Sequence, residues 1–272
     1  MRRRRWIAAA GLALAACGGN GHRSPSPSPT ASPTPTTAAR TDAAAVAARS
    51  RIPVLCYHQI RDQTAADSAS DRQYIVSPRA FAAQMQALDK AGYTPVNGYT
   101  LVAHAATGYK LPRKPILITL DDGSEGQWTR ALPVLKQHRF KATFFPMTVV
   151  LGKPGWLTKG QVRALDAQGM TIGAHTWDHH AVTGYKGADW RVQLEQPKAE
   201  LEKLLGHPVT IFAYPFGLWN AAAFAHIKAA GYHAAFQLSD KLDRAAPLMT
   251  LRRIIVPQWT GAELLHAIEE DF

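Results

Sequence analysis

The chain has 272 residues, 46% hydrophobic and 19% charged, which fits a globular protein and excludes a wholly disordered polymer. It has no run of about 18 apolar residues, so an ordinary membrane-spanning helix is excluded, and two cysteines are too few for a disulfide framework. The formal charge of +11 points at first to an anionic partner.

The charge is unevenly placed. Arg2, Arg3, Arg4 and Arg5 form a basic run, and Trp6 to Ala16 is a short apolar segment ending in Leu14-Ala15-Ala16-Cys17. A basic run before a short apolar stretch reads as an export signal. Leu-Ala-Ala-Cys resembles the lipobox of bacterial lipoproteins, which implies cleavage before Cys17 and a lipid on its thiol. A plain cleaved signal is the alternative. Cleavage there removes 16 residues and four arginines, leaving 256 residues at formal charge +7. Export thus accounts for the strongest basic stripe, and no nucleic-acid partner is expected. Residues 17–50 are rich in Pro, Ser, Thr and Ala and read as a tether. Within it, Thr41 to Ala48 reads as helical and peripheral. The expected product is a monomer anchored by lipid to the outer face of a bacterial cell membrane, with one catalytic domain over residues 51–272.

From Ile52 onward apolar runs alternate with helical patterns. Ile52 to Tyr57 reads as a strand. Pro78 to Ala91 reads as a helix, with Phe81, Met85 and Leu88 on one face, Ser77 as cap and Gly92 as stop. The continuous apolar run Ile116 to Leu120 predicts a buried strand. Further expected elements are helix Thr129–His138, strand Ala142–Pro146, helix Thr158–Gln168 and strand Met170–Ala174. Helix Asp189–Leu205, strand Val209–Tyr214, helix Asn220–Ala230, strand Tyr232–Gln237, strand Thr250–Val256 and helix Gly261–Glu270 complete the series. Repeated β-then-α units predict an α/β fold with a parallel sheet, and their number suits a (β/α) barrel.

In such a sheet, functional groups gather at the carboxyl ends of strands. Three clusters stand there. Thr119-Leu120-Asp121-Asp122-Gly123 places two carboxylates directly after an apolar strand, where they need solvent, a partner or a metal. By itself it reads more simply as an Asp-Asp-Gly turn capping the next helix. His175-Thr176-Trp177-Asp178-His179-His180 sets two imidazoles four residues apart, and alone reads more simply as a surface histidine cluster. Together the two clusters offer one carboxylate and two imidazoles as ligands for Zn²⁺ or another first-row divalent ion. The second carboxylate is left free as a general base. Phe212-Ala213-Tyr214-Pro215-Phe216-Gly217 ends a strand in a bend whose backbone N–H groups could face an oxyanion, and Phe216 or Trp219 could stack on a sugar. Tyr57-His58 ends the first strand. Cys56 reads as a buried small hydrophobe.

These motifs resemble the polysaccharide deacetylase family (the NodB homology domain, carbohydrate esterase family 4) over roughly residues 52–260. Thr119 to Gly123 resembles its T-F-D-D-G motif with Leu120 in place of Phe. His175 to His179 matches H-[ST]-x-x-H, and Ala213 to Phe216 occupies R-x-P-[YF]. The resemblance implies a distorted (β/α)₇ barrel and metal-dependent removal of acetyl groups from sugar polymers. It implies Asp121 as base, Asp122, His175 and His179 as metal ligands, and an oxyanion N–H near Phe216; Tyr214 and Trp219, from the same bend, are candidate substrate or oxyanion residues. The motif arginine that braces the base is Ala213 here, and no D-x-x-D-W segment follows. Pro53 to Ile60 and the Phe-Ala-Tyr-Pro-Phe-Gly form resemble the poly-β-1,6-N-acetylglucosamine deacetylase subgroup. That likeness implies His58, rather than His266, as general acid, and Arg253 is a candidate replacement for the missing arginine. The alternative readings are peptidoglycan or chitin as substrate, and a non-catalytic glycan-binding lipoprotein that keeps the fold.

Overall fold

The predicted apolar run at Ile116 is the longest strand, Pro115–Asp122, and its side chains divide between two cores. Leu117 packs with Val54, Phe145, Ile211, Ala213 and Phe236, whereas Ile116, Ile118 and Leu120 pack with Phe144, Phe212 and Tyr214. Successive strand residues point to opposite faces. The first group therefore fills the inside of a barrel and the second lies between strands and helices. The computed structural model describes residues 42–238 and 241–272.

Seven parallel strands close the ring: β1 (Val54–Tyr57), β2 (Pro115–Asp122), β3 (Thr143–Pro146), β4 (Thr171–Ile172), β5 (Ile211–Ala213), β6 (Ala234–Phe236) and β7 (Ile254–Ile255). Ladders join β7 to β1, β1 to β2, β2 to β3, β3 to β4 and β5 to β6. Single bridges, Ala174 with Phe212 and Leu251 with Phe236, complete the circle. These two thin joints are the distortion. The predicted strand Thr250–Val256 is correspondingly broken, because Leu251 pairs with β6 while Ile254 pairs with β1.

The helices are α1 (Ala43–Arg49), α2 (Pro78–Lys90), α3 (Gly98–Thr107), α4 (Leu132–Gln137), α5 (Lys159–Ala167), α6 (Gln196–Leu205), α7 (Ala223–Ala229) and α8 (Gly261–Asp271). Ser77 caps α2 through its side chain, with Pro78 at the first turn, as its sequence predicts. Strand Thr94–Val96 and α3 escaped prediction. Val96, Leu101 and Val102 join the inner core and plug the base of the barrel, so α3 lacks a clean polar face. Two short parallel strands, Gln59–Ile60 and Ile75–Val76, also went unpredicted, since two residues carry no periodicity.

α1 corrects the peripheral reading of its segment. Val46 is buried, and the Arg49 guanidinium donates to the carbonyls of Ala105 (2.9 Å) and Ala106 (3.0 Å). It thereby caps the C-terminal end of α3, where carbonyls lack helical partners. The folded unit thus reaches back to Asp42, into the stretch read as tether.

Two predicted helices open with a π-turn: Gln127–Ala131 before α4, and Arg191–Glu195 before α6. The cause is legible in the chain. Pro133 and Pro197 lack an N–H and crowd the carbonyl four residues back. A five-residue bond, Leu132 N–H to Gln127 and Gln196 N–H to Arg191, accommodates each proline without ending the helix.

Candidate active site

The site is built at the carboxyl ends of β1, β2, β4 and β5. Asp121 shares the inward parity of Leu117 and Thr119 and is buried in the barrel mouth. Arg253, also fully buried, meets it as a fork: Nη1 to Oδ1 at 2.7 Å and Nη2 to Oδ2 at 2.7 Å. Its Nη1 also donates to Thr119 Oγ1 at 3.1 Å and its Nε to the Gln237 carbonyl at 3.4 Å. Burial by itself would raise the Asp121 pKa. Arg253, then His175, overcome it and hold the carboxyl well below its ordinary range. The arginine missing at Ala213 is thus supplied from just before β7.

Asp122 ends β2 at φ +71°. The next motif follows β4, and Ala213 lies across from it: the Ala213 carbonyl lies 2.8 Å from His175 Nδ1. A carbonyl only accepts, so Nδ1 carries the proton and Nε2 presents a lone pair. His175 Nε2 and His179 Nε2 lie 3.4 Å and 3.5 Å from Asp122 Oδ1. Burial opposes a charge on His175, but Asp121 and then Asp122 raise its pKa above the ordinary histidine value. Burial, then His175, pushes His179 down to about 4.

Asp122 Oδ1 and His175 Nε2 are buried and have no hydrogen-bond partner. Together with His179 they offer three ligand atoms within 4.8 Å of one another. One carboxylate and two imidazoles with orphaned, converging lone pairs fit a divalent transition ion.

His58 also comes to the mouth. Its ring, Cys56 Sγ and an Asp121 oxygen lie within 4.8 Å of one another. Its ring packs edge-on to Tyr74 at 4.8 Å. Burial lowers its pKa, with Asp122 and Asp121 opposing. Cys56 is buried as expected but does more than fill space: its thiol donates to Asp121 Oδ2 at 3.5 Å.

Phe216 stands exposed beside the triad, its ring centroid 4.4 Å from that of His179. Tyr214 requires correction as a substrate residue. It has the outward parity of Phe212, is fully buried, and donates its hydroxyl to the Met249 carbonyl. Trp219 is half-buried and stacks on Phe224 at 5.3 Å, so its indole is partly committed to packing. His180 turns away to Asp178, and His266 pairs with Glu270 on the exposed face of α8. Cys17 lies outside the described residues.

Backbone strain gathers here. Among the described residues, six other than glycine have positive φ, and Asp122, Thr176, His179 and Phe216 are four of them. Such conformations persist where surrounding contacts enforce them, characteristically at functional sites. Two enforcing residues were not anticipated. Gln127 Nε2 donates to the carbonyls of both His58 and Asp121. Gln193 holds the loop between the two histidines. Nothing in a lone glutamine marks it beforehand; each proline one turn later was the available signal.

A closed parallel barrel with an Asp-His-His donor set and an arginine-paired carboxylate in its mouth defines an α/β barrel protein whose rim could hold a metal ion. Residues 108–235, just under half of the chain, match the family model described as polysaccharide deacetylase. His58 and Arg253 lie outside the matched stretch, directly after β1 and directly before β7. A peptidoglycan-N-acetylglucosamine deacetylase of Bacillus cereus is 28% identical over 152 residues, covering 56% of this chain and 54% of the relative. A poly-beta-1,6-N-acetyl-D-glucosamine N-deacetylase of Escherichia coli K12 is 23% identical over 246 residues, covering 74% of this chain and 36% of the relative. The chain thus spans about half or less of these relatives. The solved structure of the Streptococcus pyogenes deacetylase PplD in complex with acetate superposes with a TM-score of 0.73 at 24% identity, covering 80% of this chain and 97% of that one. The distorted seven-stranded barrel is therefore the fold, shared with that deacetylase.

Proposed function

We propose that the chain is a metal-dependent hydrolase that removes N-acetyl groups from an extracellular GlcNAc-containing polysaccharide, with poly-β-1,6-GlcNAc favoured. The observation that carries the reading is the pair of unlike carboxylates: Asp121 clamped by Arg253, and Asp122 facing two imidazoles. Glycan binding alone needs no ionised base beside a metal-type donor set, so the buried Arg253–Asp121 pair weighs against a non-catalytic role.

Asp122, His175 and His179 would hold the ion, Zn²⁺ or another first-row divalent metal. Such an ion, when bound, polarises an acyl carbonyl and acidifies water. Asp121 accepts the proton of the attacking water at a carboxylate oxygen, and Arg253 keeps that carboxylate ionised and fixes its plane. His58 donates a proton to the leaving amine. The Phe216 N–H at the bend after β5 donates to the oxyanion as charge develops. The exposed Phe216 ring gives a sugar a face to stack on.

The linkage preference rests on the Tyr57-His58 segment and on the Escherichia coli relative's substrate; the Bacillus cereus relative supports peptidoglycan as the second reading. Lipid anchoring through Cys17 on the outer face of a bacterial membrane, and a monomeric state, belong to the same proposal. Incubation with β-1,6 and β-1,4 GlcNAc oligomers and with peptidoglycan, followed by acetate assay, tests it. Acetate released fastest from the β-1,6 oligomer is expected. Zinc binding without acetate from any of the three would return the non-catalytic reading.

A further inference from the structure

The loop between His175 and His179 is strained; the Thr176 and Trp177 carbonyls accept from the Thr148 and Val149 N–H groups at 3.4 Å and 3.0 Å, which leaves the loop's own N–H groups to side chains. Thr176 and His179 have φ of +66° and +70°, and Thr176 Oγ1 accepts the His179 N–H at 2.9 Å. The N–H groups of Trp177 and Asp178 point instead to one side-chain oxygen, Gln193 Oε1, at 3.2 Å and 3.4 Å. The same amide donates from Nε2 to Asp178 Oδ1 at 2.7 Å. Gln193 is buried, and it sits within the π-turn that Pro197 imposes ahead of α6. One glutamine on a neighbouring helix thus holds both residues immediately before His179. His175 has its own anchor in the Ala213 carbonyl, whereas the His179 ring is partly exposed.

We propose that Gln193 is a positioning residue for the metal site: it holds the 176–178 loop in the strained conformation that keeps His179 turned toward Asp122 and His175, and so sets the affinity for the ion. Outer partners of metal ligands typically govern affinity by about 10–100-fold. Freed of Gln193, the loop relaxes toward unstrained φ values and His179 must be reordered on each binding event. The proposal rests on the metal-dependent reading of the site.

The test is titration of the metal-free full chain with Zn²⁺, alongside thermal unfolding without metal. Gln193→Met, similar in size but unable to accept the two N–H groups, should weaken zinc binding by about 10–100-fold. Its lost turnover should return in excess zinc with the KM for glycan unchanged. Gln193→Glu keeps the acceptor but turns the donor to Asp178 into a second carboxylate oxygen, which repels it, and should also weaken zinc binding. Unchanged zinc affinity in Gln193→Met, with only a lower unfolding temperature, overturns the proposal and leaves a structural role. If Gln193→Met does not fold, Gln193→Glu decides: at least about threefold weaker binding supports the proposal, and wild-type binding overturns it. A wild-type chain that binds no zinc overturns the metal-dependent reading itself, a result distinct from either.

Discussion

Asp121 and Asp122 are chemically identical neighbours that the fold gives opposite surroundings. Asp121 points into the barrel and meets a guanidinium; Asp122 sits at a positive φ and meets two imidazoles. Their substitutions should therefore part company: Asp121→Asn should still bind zinc and lose turnover by about 10²–10⁴-fold, the usual worth of a general base, while Asp122→Asn should lose zinc. Calorimetric titration with acetate assay separates the two, and normal turnover in both would overturn the roles. Arg253→Met strands the Asp121 carboxylate in the barrel and should cost about 3–5 kcal/mol of stability. Denaturant titration measures it, and a loss below about 1 kcal/mol would show that solvent reaches the carboxylate. The pair also has a pH signature. The unfolded Asp121 titrates near an ordinary value of about 4, and the folded one lies below that. Its contribution is full above about pH 4 and is lost as pH falls through the folded value. Urea curves of wild type and Asp121→Asn should differ most above that pH and converge in acid.

At the scale of elements, the two π-turns carry the glutamines that tie the motifs together. Gln127 holds the carbonyls at the ends of β1 and β2, so the proposed acid and base share one anchor. The approach that permits this is close: a Cβ at Gly126 would lie 2.3 Å from the Ile60 carbonyl oxygen. Backbone cannot yield as a side-chain tip can. Gly126→Ala should displace the turn, destabilise the fold by about 1–3 kcal/mol and lower turnover more than zinc affinity. A variant with wild-type kcat would show that Gln127 keeps its anchor after the shift.

For the whole molecule, the ring closes only when β7 returns to β1, and that closure brings Arg253 to Asp121 across 132 residues of sequence. At the base, α3 plugs the barrel and α1 caps α3. Arg49→Ala removes two charge-assisted bonds to helix-end carbonyls and should cost about 1.5–3 kcal/mol in chemical denaturation, with turnover unchanged because the site lies at the opposite rim. A loss of activity matching the loss of stability would show that base and mouth are coupled.

Period-2 and helical patterning, capping residues and the Asp-Asp and His-x-x-x-His spacings are local properties, and the chain by itself determined them: the order of β-α units, Ser77 as a cap, and Asp121, Asp122, His175 and His179 as the side chains that converge at the barrel mouth. Three things were decided only in three dimensions. Parity on β5 buried Tyr214, because a one-residue step changes the face of a strand. The brace for Asp121 came from Arg253, since a guanidinium answers to distance in space and not to a motif position. The docking of α1 and the grip of Gln127 and Gln193 on the motifs arose from backbone groups that needed partners, and a sequence does not display which carbonyl or N–H the fold will leave unpaired.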